Sequence, residues 1–340
     1  MAVHVIAVYH AERVTTMHSS IAALPCAAVS LESLLSGDEA AAGAAAESIR
    51  RHSFAVLRAD SASDELEPVK AAEAGMRSFF ALPHAEKESC ATDASEVAEI
   101  LACVGASVPA ANGRQPPRLL PTCGYKRDAH REQFHLVIGA AGTQAWPANE
   151  VDLGDRMLEA ASCLRIVAVR ILHAMSAELA DRVEAGSAAD PSVLDAWLYH
   201  DARCEPGNEE CGCAKGPHLD PGLLTVKRAS AVAALQCRDV ATGKWHAVEA
   251  ACKPNDLLVL ANAELAELEL AHAAEHLVMT SAERFSLVYE LRAPVELTTG
   301  WGEANDESDA TDDEEEDGEV DQGSGEESWL ARQLRLARVS

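Results

Sequence analysis

His218-Leu219-Asp220-Pro221-Gly222-Leu223-Leu224-Thr225-Val226 is the stretch on which the reading of this chain turns. One residue separates His218 from Asp220, so on an extended backbone both side chains project to the same face. Pro221-Gly222 supplies turn chemistry and the apolar run after it reads as a strand, which holds the pair at a sheet margin. Four of the thirteen histidines are followed two residues later by an acid: His10, His84, His130 and His218. Only His218 has an Asp there in a strand-and-turn setting. The other three sit in helical or polar surroundings and read as surface residues.

A third ligand must come from far along the chain. His276 precedes Leu277-Val278-Met279, which reads as a strand able to fix its ring, whereas the competing His272 sits in an alanine-rich stretch. Two imidazoles and one carboxylate on one side of a metal leave the opposite positions open, an arrangement that suits ferrous iron. For either distal histidine the plain alternative is a satisfied surface or core residue.

The next strand, Arg284-Phe285-Ser286-Leu287-Val288-Tyr289-Glu290-Leu291, alternates. Arg284 and Ser286 share one face while Phe285, Leu287 and Tyr289 share the other. An inward-facing Arg needs an anionic partner, because a buried unpaired guanidinium is too costly. Its forked donors suit a ligand carboxylate, with the Ser286 hydroxyl completing the contact. The alternative is an internal salt bridge, with Glu290 as the candidate partner.

Around these residues the chain runs from helices to strands. The alanine-rich segment 39–51 favours a helix, Ser53 to Leu57 reads as a strand, and a second helical stretch covers about 63–90, with Pro68 near its first turn and Pro83 breaking it. Residues 105–122 are rich in Pro, Gly and Ala and read as a loop leading to Gly124-Tyr125. A long helix over about 153–183 puts Leu164, Val167, Ile171, Met175 and Leu179 on one face, suited to buttress a sheet. From Val193 short runs (223–227, 233–237, 245–248, 257–261 and 285–291) predict an antiparallel sandwich or barrel.

Length and composition bound the function. A chain of 340 residues with 48% hydrophobic content can bury a large core. The formal charge is -27, and residues 302–328 hold fourteen acidic side chains and no basic ones. The rest is still acidic, which argues against a broad nucleic-acid surface. No apolar stretch reaches bilayer length, and the apolar N-terminus lacks a basic region and a cleavage site, so a cytoplasmic, reducing compartment is expected, organellar targeting being the alternative. The tail lacks apolar periodicity, and disorder is expected. Trp329 to Val339 reads as a short basic amphipathic helix through which a protein partner is possible.

Ten cysteines are too scattered for a disulfide framework. Cys204, Cys211 and Cys213 with His218 nevertheless offer Cys-x6-Cys-x-Cys-x4-His, donors enough for zinc, but the spacing matches no common paired-Cys framework and ordinary reduced loop cysteines are the better reading.

Taken in order, His218-Leu219-Asp220, His276 and Arg284-Phe285-Ser286 resemble the isopenicillin N synthase-like branch of the iron(II)- and 2-oxoglutarate-dependent dioxygenases. Flanking segments agree: Phe79-Phe80-Ala81-Leu82-Pro83 with Glu86-Lys87, Gly124-Tyr125, and Gly243-Lys244-Trp245. The similarity spans about residues 26–295. It implies a mainly β fold with flanking helices around a double-stranded β-helix (jelly roll) core. It also implies Fe(II) on His218, Asp220 and His276, and 2-oxoglutarate held through Arg284 and Ser286, with Tyr199 of Trp197-Leu198-Tyr199-His200 as a further cosubstrate contact. O2 would be consumed and a small organic substrate hydroxylated or desaturated.

The expected organisation is an extension (1–25), a helical N-terminal region (26–125), the catalytic β-helix with its supporting helix (126–298), and the acidic tail (302–340). The chain departs from the family pattern in a longer, cysteine-rich segment at 204–215, in a short interval from His276 to Arg284, and in Leu277, where an Arg commonly follows the distal His. No ligand is lost. A related iron oxidase that needs no 2-oxoglutarate, and a non-catalytic ligand-binding or interaction protein, are the rival readings.

Overall fold

The computed structural model describes residues 24–59, 64–92, 103, 123–128, 130–148, 152–186, 190–200, 213–279 and 282–294. The expected N-terminal extension up to residue 23, the loop at 105–122, Cys204, Cys211 and the acidic tail lie outside them.

The described strands are β1 (Val29–Ser30), β2 (Phe54–Arg58), β3 (Gly124–Arg127), β4 (Arg131–Val137), β5 (Val193–Tyr199), β6 (Cys213–His218), β7 (Leu224–Arg228), β8 (Leu235–Arg238), β9 (Trp245–His246), β10 (Leu257–Ala261), β11 (His276–Met279) and β12 (Arg284–Leu291). They form an eight-stranded sheet in the order β1-β2-β10-β7-β12-β5-β4-β3 and a four-stranded sheet in the order β6-β11-β8-β9. All pairings are antiparallel except β1 with β2. This is the helix-flanked jelly roll that the sequence implied.

The helices are α1 (Leu31–Leu35), α2 (Glu39–His52), α3 (Glu67–Phe80), α4 (His84–Glu88), α5 (Leu153–Met175), α6 (Ala177–Ala185) and α7 (Ala263–Glu267). Leu153, Met157, Leu164, Val167, Ile171 and Leu172 of α5 are buried in one cluster with Leu194 and Ala196 of β5 and Phe285, Leu287 and Tyr289 of β12. Each such Leu or Ile contributes about 1.5–3 kcal/mol by leaving water. A second cluster fills the space between the sheets, with Phe54, Val56, Leu258 and Leu260 from the large sheet against Leu235, Cys237 and Val278 from the small one. Central strands of the large sheet are thus covered on both faces, which is why they read as continuous apolar runs.

The single long helix expected over 153–183 is two helices. Ser176 turns to φ -156, ψ 102, ends α5, and accepts a hydrogen bond from Leu179 N to cap α6. The apolar periodicity carries through the break because both helices pack on the same core. The strand expected at 245–248 is also shorter: only Trp245 and His246 pair, and Val248–Ala251 coils into a 3-10 turn. Within residues 26–125, β1 and β2 join the large sheet beside the helices, β2 being the strand read at Ser53 to Leu57. Among the described residues no helix is long and apolar enough to cross a membrane.

Candidate metal centre

His218 closes β6 and His276 opens β11, and the two are register partners across the antiparallel pair, with ring centroids 4.1 Å apart. Asp220 lies two residues on, in the turn to β7. That turn is tight: Gly222 has φ +89, and a Cβ there would lie 2.7 Å from the carbonyl oxygen of Leu291. Glycine alone meets both demands. One ligand atom from each of His218, Asp220 and His276 can be chosen so that all lie within 4.8 Å of one another. His272 is exposed and is not part of the group.

The orientation of the rings is fixed from behind. His218 Nδ1 lies 2.7 Å from the Gly216 carbonyl and His276 Nδ1 2.9 Å from that of Ala274. A carbonyl can only accept, so each Nδ1 donates, and in the neutral ring Nε2 keeps its lone pair for the opposite side. Both Nε2 atoms stand 3.4 Å from Asp220 oxygens. Asp220 is oriented in turn by Thr225, whose hydroxyl donates to Oδ2 at 3.0 Å while accepting from Asn262 Nδ2 at 3.0 Å. Since Asn262 occupies the acceptor role of the hydroxyl, the single Thr225 proton is directed at the carboxylate.

Electrostatics keep the donor set ready for a cation. Burial alone would raise the Asp220 carboxyl, but His276 and His218 outweigh it and hold it well below the usual carboxylate range. Burial lowers His218, whereas at His276 the facing Asp220 overcomes burial and raises the imidazole.

The same cavity continues toward β12, lined by Trp197, Tyr199, Lys227, Arg284 and Ser286. Arg284 and Ser286 face inward and are buried, while Phe285 and Leu287 pack against the helices. Tyr199 is the register partner of Arg284, and the guanidinium carbon sits 5.2 Å from its ring centroid. Burial pushes the Tyr199 hydroxyl up to about 12, so it is neutral at physiological pH.

Arg284 does have an internal carboxylate partner, but it is Glu249 of the 3-10 turn and not Glu290. Arg284 Nη2 donates to Glu249 at 3.0 and 3.2 Å, while Glu290 pairs with Arg292. Lys227 also donates to Glu249, and so do the backbone amides of Ala234 and Leu235, both at 2.9 Å. Arg284 Nε and Nη1 and Ser286 Oγ are left buried without a partner. Unpaired buried donors of this kind are rare in folded proteins.

Sequence reading missed Glu249, Lys227, Thr225 and Asn262. Only Thr225 and Lys227 left a signal: they alternate within β7 on the face opposite Leu224 and Val226. Of the zinc reading, Cys204 and Cys211 lie outside the described residues, and the backbone places Cys213 and His218 at opposite ends of one six-residue strand, roughly 16 Å apart at ~3.3 Å per step.

No protein-family model and no curated protein matches the chain. Solved structures do. A full-length protein of Neurospora crassa, crystallised in complex with alpha-KG, is 18% identical with TM-score 0.59, over 81% of this chain and 88% of that one. A protein of Caulobacter crescentus described as of the 2OG-Fe(II) oxygenase family is 17% identical with TM-score 0.58, over 80% of this chain and 87% of that one. The fold is therefore that of the 2-oxoglutarate- and iron-dependent oxygenases. A third neighbour, the Arabidopsis thaliana dioxygenase for auxin oxidation 1 in its 2-oxoglutarate complex, is 16% identical with TM-score 0.57, over 80% of this chain and 94% of that one.

Proposed function

We propose that this protein is a non-haem iron(II) oxygenase of the isopenicillin N synthase-like branch. It couples oxidative decarboxylation of 2-oxoglutarate to hydroxylation or desaturation of a small organic substrate. The observation that carries the reading is one cavity with two incomplete groups. At one end stand two tethered imidazoles and a carboxylate within 4.8 Å. At the other, Arg284 and Ser286 hold orphaned donors.

The donor set fits iron(II): two imidazole nitrogens and one carboxylate oxygen gather together, and among the described residues no further His, Cys, Asp or Glu joins them. Iron(II) bound there with 2-oxoglutarate supplies the oxidation, O2 being reduced as the oxo acid becomes succinate and CO2 and the substrate gains oxygen or loses two hydrogens. His218 and His276 bind through Nε2 because their Nδ1 protons are committed to carbonyls. Asp220, kept ionised and aimed by Thr225, completes the set. Arg284 and Ser286 receive the distal carboxylate of 2-oxoglutarate through an unpartnered guanidinium N–H and Oγ, and Tyr199 packs beneath the guanidinium. Leu235, Leu260 and Val278 line the cavity with apolar surface that excludes water.

The substrate is a small organic molecule, as in the neighbours: the Neurospora crassa protein is seen with thymine, and the plant enzymes are dioxygenases for auxin oxidation. A reducing cytoplasmic location agrees with ferrous iron. The reading is tested by loading the protein with Fe(II) without oxygen, adding 2-oxoglutarate and a panel of small ring compounds, and admitting O2. Oxygen-dependent succinate release supports it. One equivalent of bound iron with substrate oxidation but no succinate would replace it by the iron oxidase that draws all its electrons from substrate.

A further inference from the structure

Lys227 is buried in the middle of β7 and lines the cavity beside β12, where it is the register partner of Val288, two residues from Ser286. A lysine in such a place is rare unless paired. Its partners are the Ser230 hydroxyl, at 3.3 Å, and Glu249, which simultaneously holds Arg284 and accepts from the amides of Ser230, Ala234 and Leu235. Glu249 is therefore fully engaged as an acceptor and carries one negative charge between two positive ones. The group as a whole is one positive charge in surplus, and the unused donors Arg284 Nε, Arg284 Nη1 and Ser286 Oγ lie within it.

Without Lys227 the count changes. Arg284 and Glu249 would form a neutral pair, and an incoming carboxylate would bring an uncompensated negative charge into a buried space. Resting on the oxygenase reading, we propose that Lys227, acting with Glu249, is a specificity-determining residue: it keeps the anchor end one charge positive and makes the cavity select a 2-oxo dicarboxylate over a 2-oxo monocarboxylate. Lys227 sets the charge of the site, Glu249 positions Arg284, and the two remaining faces of the guanidinium read the ligand.

The experiment is anaerobic calorimetric titration of the full-length Fe(II)-loaded protein with 2-oxoglutarate and, in parallel, with 2-oxobutanoate, which shares the metal-binding head and lacks the distal carboxylate. Lys227→Met is expected to weaken 2-oxoglutarate at least about tenfold, as for loss of a charge-assisted contact, and to leave 2-oxobutanoate within about twofold. Lys227→Arg, which keeps the charge, is expected to retain the discrimination, and carries the test if Lys227→Met lacks a cooperative melt. Equal binding of 2-oxoglutarate by the wild type and a folded Lys227→Met variant overturns the assignment, as does loss of discrimination in folded Lys227→Arg. A wild-type protein that takes up Fe(II) but binds no 2-oxoglutarate overturns both this assignment and the 2-oxoglutarate reading beneath it.

Discussion

At the metal end of the cavity, His218, Asp220 and His276 lean on backbone carbonyls and on Thr225 and keep bare ligand atoms within reach of one another. At the anchor end, Glu249 already holds Lys227 and part of Arg284, and itself accepts from the amides of Ser230, Ala234 and Leu235. The first end is held in place by neighbours but electrostatically incomplete. The second is largely satisfied from within, and it ties the 3-10 turn to β7 and β12. Side chains of the first kind serve the ligand; those of the second kind serve the ligand and the fold together.

Breaking each end should therefore give different signatures. His218→Ala removes one of three protein ligands and should weaken iron by more than the ~100-fold that bounds loss of an outer partner, abolishing turnover. The melting of the metal-free protein should move by no more than about 1 kcal/mol, because the ring is partly exposed. Iron titration and calorimetry on the same sample decide both, and a collapsed fold would erase the contrast. Glu249→Ala should do the reverse: it strands Lys227, Arg284 and three amides, at a cost of about 3–5 kcal/mol in unfolding free energy. Stoichiometric iron uptake should persist below the lowered melting temperature. Thr225→Val sharpens the comparison most finely. It leaves the three ligands and removes only the hydroxyl that aims Asp220, so iron affinity should drop about tenfold. If affinity were unchanged, the Thr225 hydroxyl would be packing and not aim.

The metal end was legible because its chemistry is compressed into local sequence. A one-residue spacing on an extended chain fixes a shared face, and Pro221-Gly222 fixes where that strand must stop. Alternation likewise gave the orientation of Arg284 and Ser286. Glu249 left no trace, because its position follows from a 3-10 turn whose residues look like the continuation of a strand, and its partners are 22 and 35 residues away in the chain. Lys227 alternates with Thr225 in β7, but in a strand buried on both faces that alternation does not say which side is the cavity. The break at Ser176 was hidden for a related reason: Met175 and Leu179 keep the helical spacing, while the cap that separates them is a single hydroxyl.

The double coverage of the large sheet has a further consequence. Its central strands have no wet face, so a polar side chain placed there must answer either to the helical layer or to the cavity, and drift at those positions is constrained from two directions at once. Changes in what the protein recognises are left to the rim, where Trp197 and Lys215 meet solvent and new side chains can be tried without disturbing the packed interior.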